Sequence, residues 1–406
     1  METFADVIVI GGGPCGSFTT LNLAKLGINV KVFEEHSQIG FPIHCPGHVA
    51  INGLKRLGLY PLPAKIVENA FCGVTFHSPK GGEFSVRFSS PITCVVNRSL
   101  FDNYIAEMAK NEGAFYHLNS HVESLIVEDG YVKGVQVNRM GKAEKFFAKI
   151  VVDAEGISSK ILRQANLLPF NRCMLVNGVH AEVENVKNVK QDSVEVFLGN
   201  DYAPGFYAWL IPKGDKAKIG LATKCGNSKE FLQRFMLKHP IASKKLRKAK
   251  ILQMTFHPIP LGGPIPKTYS NGLLVVGDAA SQVKPTTGGG LIFGLSCARI
   301  AAEVAYEALQ RNDFSSKFLS VYQKCYQENF GFDVKFMLKV RKMLNVLSDD
   351  KLDEAIRLCE RLNLNKALSN VEEIDFQGKT LLKLLPNLRV LPALIYFFFL
   401  YISTNP

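Results

Sequence analysis

The feature that most restricts this chain is a glycine spacing near its start, Gly11-x-Gly13-x-x-Gly16. It stands between an apolar β-rich run, Asp6–Ile10, and a stretch with helical spacing through Phe18, Leu21 and Leu26. A second strand pattern over 28–33 then ends in Glu34-Glu35. The spacing predicts a β–turn–α–β unit that grips the pyrophosphate of a dinucleotide. Gly11 permits the tight turn, Gly13 lets the backbone approach the anion, and Gly16 lets the helix pack close to the sheet. Pro14 and Cys15 sit within the turn. Glu34, with Glu35 beside it, is placed to accept hydrogen bonds from a ribose hydroxyl.

A second signal lies far along the chain. The run Leu273-Leu-Val-Val-Gly277-Asp278 reads as a buried strand with a carboxylate at its end. Pro285-Thr-Thr-Gly288-Gly289-Gly290 follows and opens a helix over 291–310. Arg98 stands ahead of a helix expected from Ser99, read as its N-cap, to Asn111. Residues 115–153 read as a β-meander that ends in a buried parallel strand, and 170–260 is strand-rich. The fold expected is α/β, a doubly wound dinucleotide-binding domain interrupted by a β-rich substrate domain, with a helical C-terminal part. The dinucleotide-binding domain is assigned to 1–60, 96–165 and 262–312. The substrate domain takes 61–95 and 166–261, and the helical part takes 313–406.

The bulk properties remove several classes. Apolar residues make up 47% and charged residues 21%, a globular balance. The formal charge of +12 favours an anionic partner, yet no basic run alternates with aromatics, so nucleic acid is not expected. Nine cysteines, none in CxxC spacing, read as reduced thiols with no metal site. No signal peptide and no uncharged apolar stretch of transmembrane length stand in the chain, which is therefore expected in the cytoplasm. The apolar stretch 381–402, broken by Pro386 and Pro392, is either a core helix or a membrane-interface segment. The second reading places Tyr396 and Tyr401 near the headgroups and makes the protein peripherally membrane-associated.

Taken with Arg98-Ser-x-Phe101-Asp102 and Asp153-Ala-Glu155-Gly156, the two glycine motifs resemble the FAD enzymes of the para-hydroxybenzoate hydroxylase fold. Pro42-x-x-Cys45-x-Gly47, Tyr207-x-Trp209-x-x-Pro212-Lys213-Gly214 and Leu347-Ser-Asp-Asp350 narrow the resemblance to the geranylgeranyl reductase family, in its archaeal, lipid-acting branch. The resemblance covers roughly 1–360. It implies FAD held by Gly11, Gly13, Pro14, Cys15, Gly16, Glu34, Glu35, Cys45, Arg98, Gly277, Asp278, Pro285 and Gly288–Gly290. The helix opened by the glycine triplet would face the negative charge of a reduced flavin.

The resemblance also implies a substrate, an isoprenoid glycerophospholipid whose geranylgeranyl C=C bonds are saturated. Its chain would lie against His48, Phe206, Tyr207 and Trp209, with Cys45 as the catalytic thiol. Electrons would come from NAD(P)H or a reduced ferredoxin-like protein. Three departures stand out. Glu155 replaces an aspartate that the superfamily links with FAD and NAD(P)H binding, Gly220-Leu-Ala222 replaces Gly-x-Gly, and Pro46 stiffens the Cys45 loop. Competing readings on the same fold are an aromatic monooxygenase, a halogenase, or a non-enzymatic FAD- or lipid-binding protein. A halogenase carries two tryptophans where residues 207–212 have one.

Overall fold

The computed structural model describes residues 3–387 and 389–404 and divides the chain into two compact units. The first comprises 1–43, 98–173 and 260–332; the second comprises 44–97, 174–259 and 333–406.

The first unit is built on an eight-stranded sheet. Five strands run parallel in the order Leu273–Val275, Lys142–Asp153, Phe4–Ile10, Val30–Phe33 and Phe115–His117. The central stretches 7–10, 150–152 and Leu273–Val275 are wholly apolar and buried, as strands covered on both faces must be. Strand Lys142–Asp153 is shared. Its first half pairs antiparallel with Tyr131–Arg139, completing the predicted meander with Ser120–Glu128, and its second half pairs parallel with Phe4–Ile10. Helix Pro14–Ala24 leaves Phe4–Ile10 toward the Val30–Phe33 side and packs on helix Leu291–Arg311. A crevice therefore opens beyond the carboxyl ends of Phe4–Ile10 and Lys142–Asp153, where the winding reverses.

The second unit holds a seven-stranded sheet in the order Lys250–Pro260, Leu175–Glu184, Lys216–Thr223, Ala208–Lys213, Ser193–Phe197, Gly73–His77 and Glu83–Arg87. One face is a conventional core. Val179, Ala181, Ile219, Leu221, Ala208 and Leu210 pack there against helices Ser228–Lys238 and Ala242–Leu246. A three-stranded sheet, His48–Ala50, Thr93–Val96 and Val67–Phe71, completes the β-structure. Residues 44–60, which the sequence reading joins to the dinucleotide-binding domain, fall in this unit because His48–Ala50 pairs with Thr93–Val96. The late helices divide between the units instead of forming a third, with 313–332 in the first.

Helix Val390–Thr404 is anchored along one side. Val390, Ala393 and Leu400 are buried, with Leu394 and Phe397 packed beside them. Tyr396 and Tyr401 pack inward against the cluster of Met343, Leu347 and Leu352, which corrects the expectation that they face outward to headgroups. The outward side carries Leu391, Ile395, Phe399 and Ile402, all about half exposed or more. Within the stretch 381–402, Leu388 and the side chain of Phe398 lie outside the described residues. No helix among the described residues is long and apolar enough to cross a membrane.

Candidate functional site

Three strand ends meet at the crevice of the first unit. Ala154 N–H donates to Ile10 O (2.9 Å) and Val276 N–H to Asp153 O (2.9 Å), so the backbone ladder continues past all three strands. Gly11 has φ +92°, and a Cβ there would lie 2.5 Å from Ala154 O. A Cβ on Gly16 would lie 2.0 Å from Gly11 O, so the helix can approach the turn only without one. Gly13 differs: no atom lies within 4 Å of where its Cβ would be. It caps helix Pro14–Ala24, with Pro14 at the first helical position. This pattern fits an anion seated on the helix start, with packing that excludes side chains at Gly11 and Gly16 and open space at Gly13.

Glu34 is 8% exposed and ties the turn together. Its Oε2 accepts the Gly12 N–H (2.7 Å), and its Oε1 accepts the His36 N–H (3.0 Å) and lies 2.6 Å from His36 Nδ1. A carboxylate has about four acceptor positions, so one remains for a ribose hydroxyl. Glu35 turns to the surface, where its Oε2 meets His121 Nδ1 at 2.9 Å. The structure thus keeps Glu34 in the cluster and takes Glu35 out of it.

The second glycine signal folds onto the first. Gly277, with φ +68°, leaves Leu273–Val275 in a tight turn whose N–H donates to Gln282 Oε1 (2.8 Å). Cys15 fills the notch between Gly277 and Gly294, where a Cβ would lie 3.0 and 2.7 Å from its sulfur. Burial pushes that thiol's pKa well up, and the Asp278 carboxylate adds to the shift, while Arg98 opposes it. Cys15, Asp278, Arg98 and Asp102 are therefore near neighbours. Arg98 grips Asp102 with two hydrogen bonds, Nε to Oδ1 (3.0 Å) and Nη2 to Oδ2 (2.8 Å). It is the first residue of helix Arg98–Asn111, which therefore starts ahead of Ser99 and leaves Ser99 inside the helix instead of capping it. Gly290 is the N-cap of Leu291–Arg311, and a Cβ on it would lie 3.1 Å from Asp278 Oδ1. Pro285 is buried in the same loop, and Gly288 turns it with φ +69°.

Glu155 has a local role. Its carboxylate accepts the N–H groups of Lys160 (3.0 Å), Ile161 (2.9 Å) and Leu162 (3.3 Å), together with the Ser158 hydroxyl. It caps the short helix Lys160–Gln164, which accounts for the longer side chain at this position.

The remaining candidates assemble in the second unit, on the sheet face opposite its core. Trp209 alternates with the core residues Ala208 and Leu210 and so points to that face. Its ring stands edge-on to Tyr207 (6.0 Å, 69°), and Tyr207 stacks on Phe206 (4.2 Å, 19°). The guanidinium of Arg341 lies 4.9 Å over the Phe206 ring. The Tyr207 hydroxyl is pushed up to about 12 by burial; Arg341 opposes this and Cys45 adds to it, so the Cys45 thiol is within electrostatic reach of that hydroxyl. Gly47 N–H donates to Cys45 Sγ (3.4 Å), and the His44 ring stacks on His257 (5.0 Å, 18°). His48 is exposed and rests edge-on against Phe71 (5.7 Å), in the three-stranded sheet. Phe206, Tyr207, Trp209 and Cys45 thus come together, and His48 sits on a neighbouring element.

Two groups on this face escaped the sequence reading. His180 pairs across strands with Gly220, which in turn pairs with Trp209. Burial, and next the Lys218 ammonium, push the His180 pKa down to about 3, so its ring is neutral. Beside it Lys218, Glu68, Lys213 and Glu182 form a network of two cations and two anions. The sequence signal for it is Lys218, a charge within the otherwise apolar or small-residue run 217–223.

An FAD binding domain model matches residues 4–303. The chain is 32% identical over 383 residues to digeranylgeranylglycerophospholipid reductase 2 of Methanopyrus kandleri, covering 93% of this chain and 96% of that protein. With the digeranylgeranylglycerophospholipid reductase of Methanocaldococcus jannaschii it shares 35% over 351 residues, covering 86% and 88%. A crystal structure from Thermoplasma acidophilum, described as geranylgeranyl bacteriochlorophyll reductase-like, superposes with a TM-score of 0.87 at 25% identity over 98% of this chain and all of that one. A flavin-dependent brominase shares the fold alone, with a TM-score of 0.69 at 20% identity over 87% of this chain and 93% of that one.

Proposed function

The chain belongs to the digeranylgeranylglycerophospholipid reductase family of FAD-binding proteins, and from that premise we propose that it saturates C=C bonds of geranylgeranyl chains on isoprenoid glycerophospholipids. The observation that carries the substrate reading is the aromatic group of Phe206, Tyr207 and Trp209, with the Cys45 loop bound to the same sheet face through the hydrogen bond from Lys218 to the Pro46 carbonyl.

In this reading the first unit holds FAD. Gly11–Gly16 and the start of helix Pro14–Ala24 take the pyrophosphate, Glu34 takes a ribose hydroxyl, and Arg98, Asp278 and Gly288–Gly290 line the remainder. When bound, FAD supplies the hydride. The second unit binds the isoprenoid chain and handles the proton. An isolated trisubstituted alkene offers no carbonyl to polarise, so positive character builds on its more substituted carbon as hydride arrives. Aromatic faces stabilise that charge, and their apolar bulk keeps water from capturing it. Each bond reduced consumes one hydride and one proton. Cys45 Sγ is the proposed holder of the proton, regaining it from solvent afterwards.

Burying a C20 chain from water would yield about 16 kcal/mol at about 0.8 per carbon, binding too tight for release. Drawn from a bilayer, the chain gains almost nothing, because lipid tails are equally apolar. Orientation must then come from the anionic head group, which the +12 charge suits. The outward stripe of Leu391, Ile395, Phe399 and Ile402 supports peripheral contact with the cytoplasmic membrane face. The proposed electron donor is NAD(P)H or a reduced ferredoxin-like protein, and the commitment of Glu155 to a helix cap favours the protein donor.

The test is to extract lipids from the purified protein and identify them by mass spectrometry. Isoprenyl glycerolipid is expected; its absence after reconstitution with archaeal lipid extract would count against the substrate assignment.

A further inference from the structure

The ion network beneath the Cys45 loop has a geometry that fold stability alone does not call for. Lys218 is 6% exposed on the sheet face that carries Trp209, and its Nζ donates to the carbonyl of Pro46 at 3.0 Å. Pro46 is the residue between Cys45 and Gly47, so this bond acts on the loop at the thiol's immediate neighbour. Gly47 is fixed from the other side, where Val96 N–H donates to its carbonyl (2.9 Å) while its own N–H donates to Cys45 Sγ.

Lys218 is itself held in place. Its ammonium pairs with Glu68, which also pairs with Lys213 (2.8 Å), and Lys213 reaches Glu182 (3.2 Å). Glu68 lies at a register break between Val67 and Asn69 in the pairing of Val67–Phe71 with Thr93–Val96. Such a bulge re-aims a side chain. Burial opposes ionisation of Glu68, and the hydrogen bonds from Lys213 and Lys218 outweigh it, holding the carboxyl below the ordinary range. A buried ion pair of this kind is weak evidence for added stability, since desolvation offsets most of its Coulomb energy. It does fix directions, and here the direction fixed is that of the Pro46 carbonyl.

We propose that Lys218 is a positioning residue that holds the Cys45 loop against the Tyr207–Trp209 face. The proposal rests on the reading of Cys45 as the proton-holding thiol, but its first test does not require turnover. The FAD-loaded protein is treated with iodoacetamide and alkylation of the half-buried Cys45 is followed on its own peptide by mass spectrometry, since Cys173 and Cys225 are exposed and will react as well. K218M is expected to speed alkylation of Cys45 at least fivefold over the native protein, and K218R to restore it to within twofold. Should K218M fail to fold, E68Q removes the counter-ion of Lys218 and is expected to give about a threefold rise.

The second test is a double-mutant cycle on turnover of a geranylgeranyl glycerophospholipid. K218M is expected to lower kcat about tenfold with KM within twofold, and K218M combined with C45A to be no slower than C45A alone. Unchanged Cys45 alkylation in both K218M and E68Q, or losses that multiply in the double variant, would overturn the proposal. A protein that turns over no polyprenyl lipid, yet shows the alkylation changes and their rescue, would sink the substrate reading and leave the positioning role standing.

Discussion

The indole of Trp209 lies directly across Gly220 on the neighbouring strand. A Cβ on Gly220 would stand 2.3 Å from Trp209 Cζ2 and 2.4 Å from the Val179 carbonyl oxygen. The glycine is what lets the only tryptophan of the chain lie down on the sheet and leaves His180 as its cross-strand neighbour beyond. Trp209 Nε1 is buried with no hydrogen-bond partner among the described residues, so the ring is held by packing.

Gly220→Ala therefore has to displace the indole or the strand. The expected cost is about 1–3 kcal/mol of stability, the usual range for overpacking. Turnover should fall at least tenfold, and the tryptophan emission, which has a single source, should shift. An unshifted spectrum with native turnover would show that the contact constrains nothing.

Glu34 joins the glycine turn to the second strand through the Gly12 N–H. Removing a charged acceptor from a buried donor costs about 1.5–3 kcal/mol. Glu34→Ala should accordingly weaken FAD binding by one to two orders of magnitude, read from the quenching of flavin fluorescence on titration with apoprotein. Glu35→Ala, at a side chain that faces His121 on the surface, should leave the affinity within twofold.

Acid stability follows from two buried histidines. His239 accepts the N–H groups of Ile241 (3.1 Å) and Ala242 (3.2 Å) on Nδ1, and burial, then His77, push its pKa down to about 4. His180 is pushed to about 3. Both folded values lie below the unfolded value near 6.5. From about pH 6.5 downward the unfolded chain gains protons that the folded chain refuses, so each histidine removes about 1.4 kcal/mol of stability per pH unit until its folded value is reached. His239→Asn keeps an acceptor and deletes the titration. Its stability deficit in urea unfolding should be largest at pH 7 and shrink by about 2 kcal/mol at pH 5. A deficit independent of pH would contradict the assignment.

The outward stripe of helix Val390–Thr404 predicts a membrane phenotype. Leu391, Ile395 and Phe399 each have about half their surface left to bury, worth about 1 kcal/mol apiece. Replacing all three with serine should reduce flotation with anionic lipid vesicles by about two orders of magnitude, with FAD content unchanged. Equal flotation of both proteins would remove the stripe from the membrane contact.

Much of the cofactor region could be read from the chain because its determinants are local. The spacing of Gly11, Gly13 and Gly16 and the turn at Gly277-Asp278 each act within a few residues, and the strands that bring them together are continuous apolar runs. Glu35 and the Ser99 cap went astray at the ends of elements, where one residue of register turns a side chain from the cleft to the surface or moves a helix start. The link from Lys218 to the Cys45 loop was out of reach for a different reason. It joins residues about 170 apart, through a bulge at Glu68 and a cross-strand register that no local pattern encodes. Tyr396 and Tyr401 illustrate the same limit, since a helix apolar all round does not declare which side finds a partner.

The most direct measurement is anaerobic. The purified protein is loaded with FAD, reduced with dithionite to a colourless state, freed of excess reductant and mixed with a geranylgeranyl glycerophospholipid in detergent. The yellow absorbance is expected to return in step with a mass gain of two hydrogens per double bond in the lipid. Flavin that stays reduced while the lipid keeps its mass, or a protein that takes up no FAD, would contradict the proposed function.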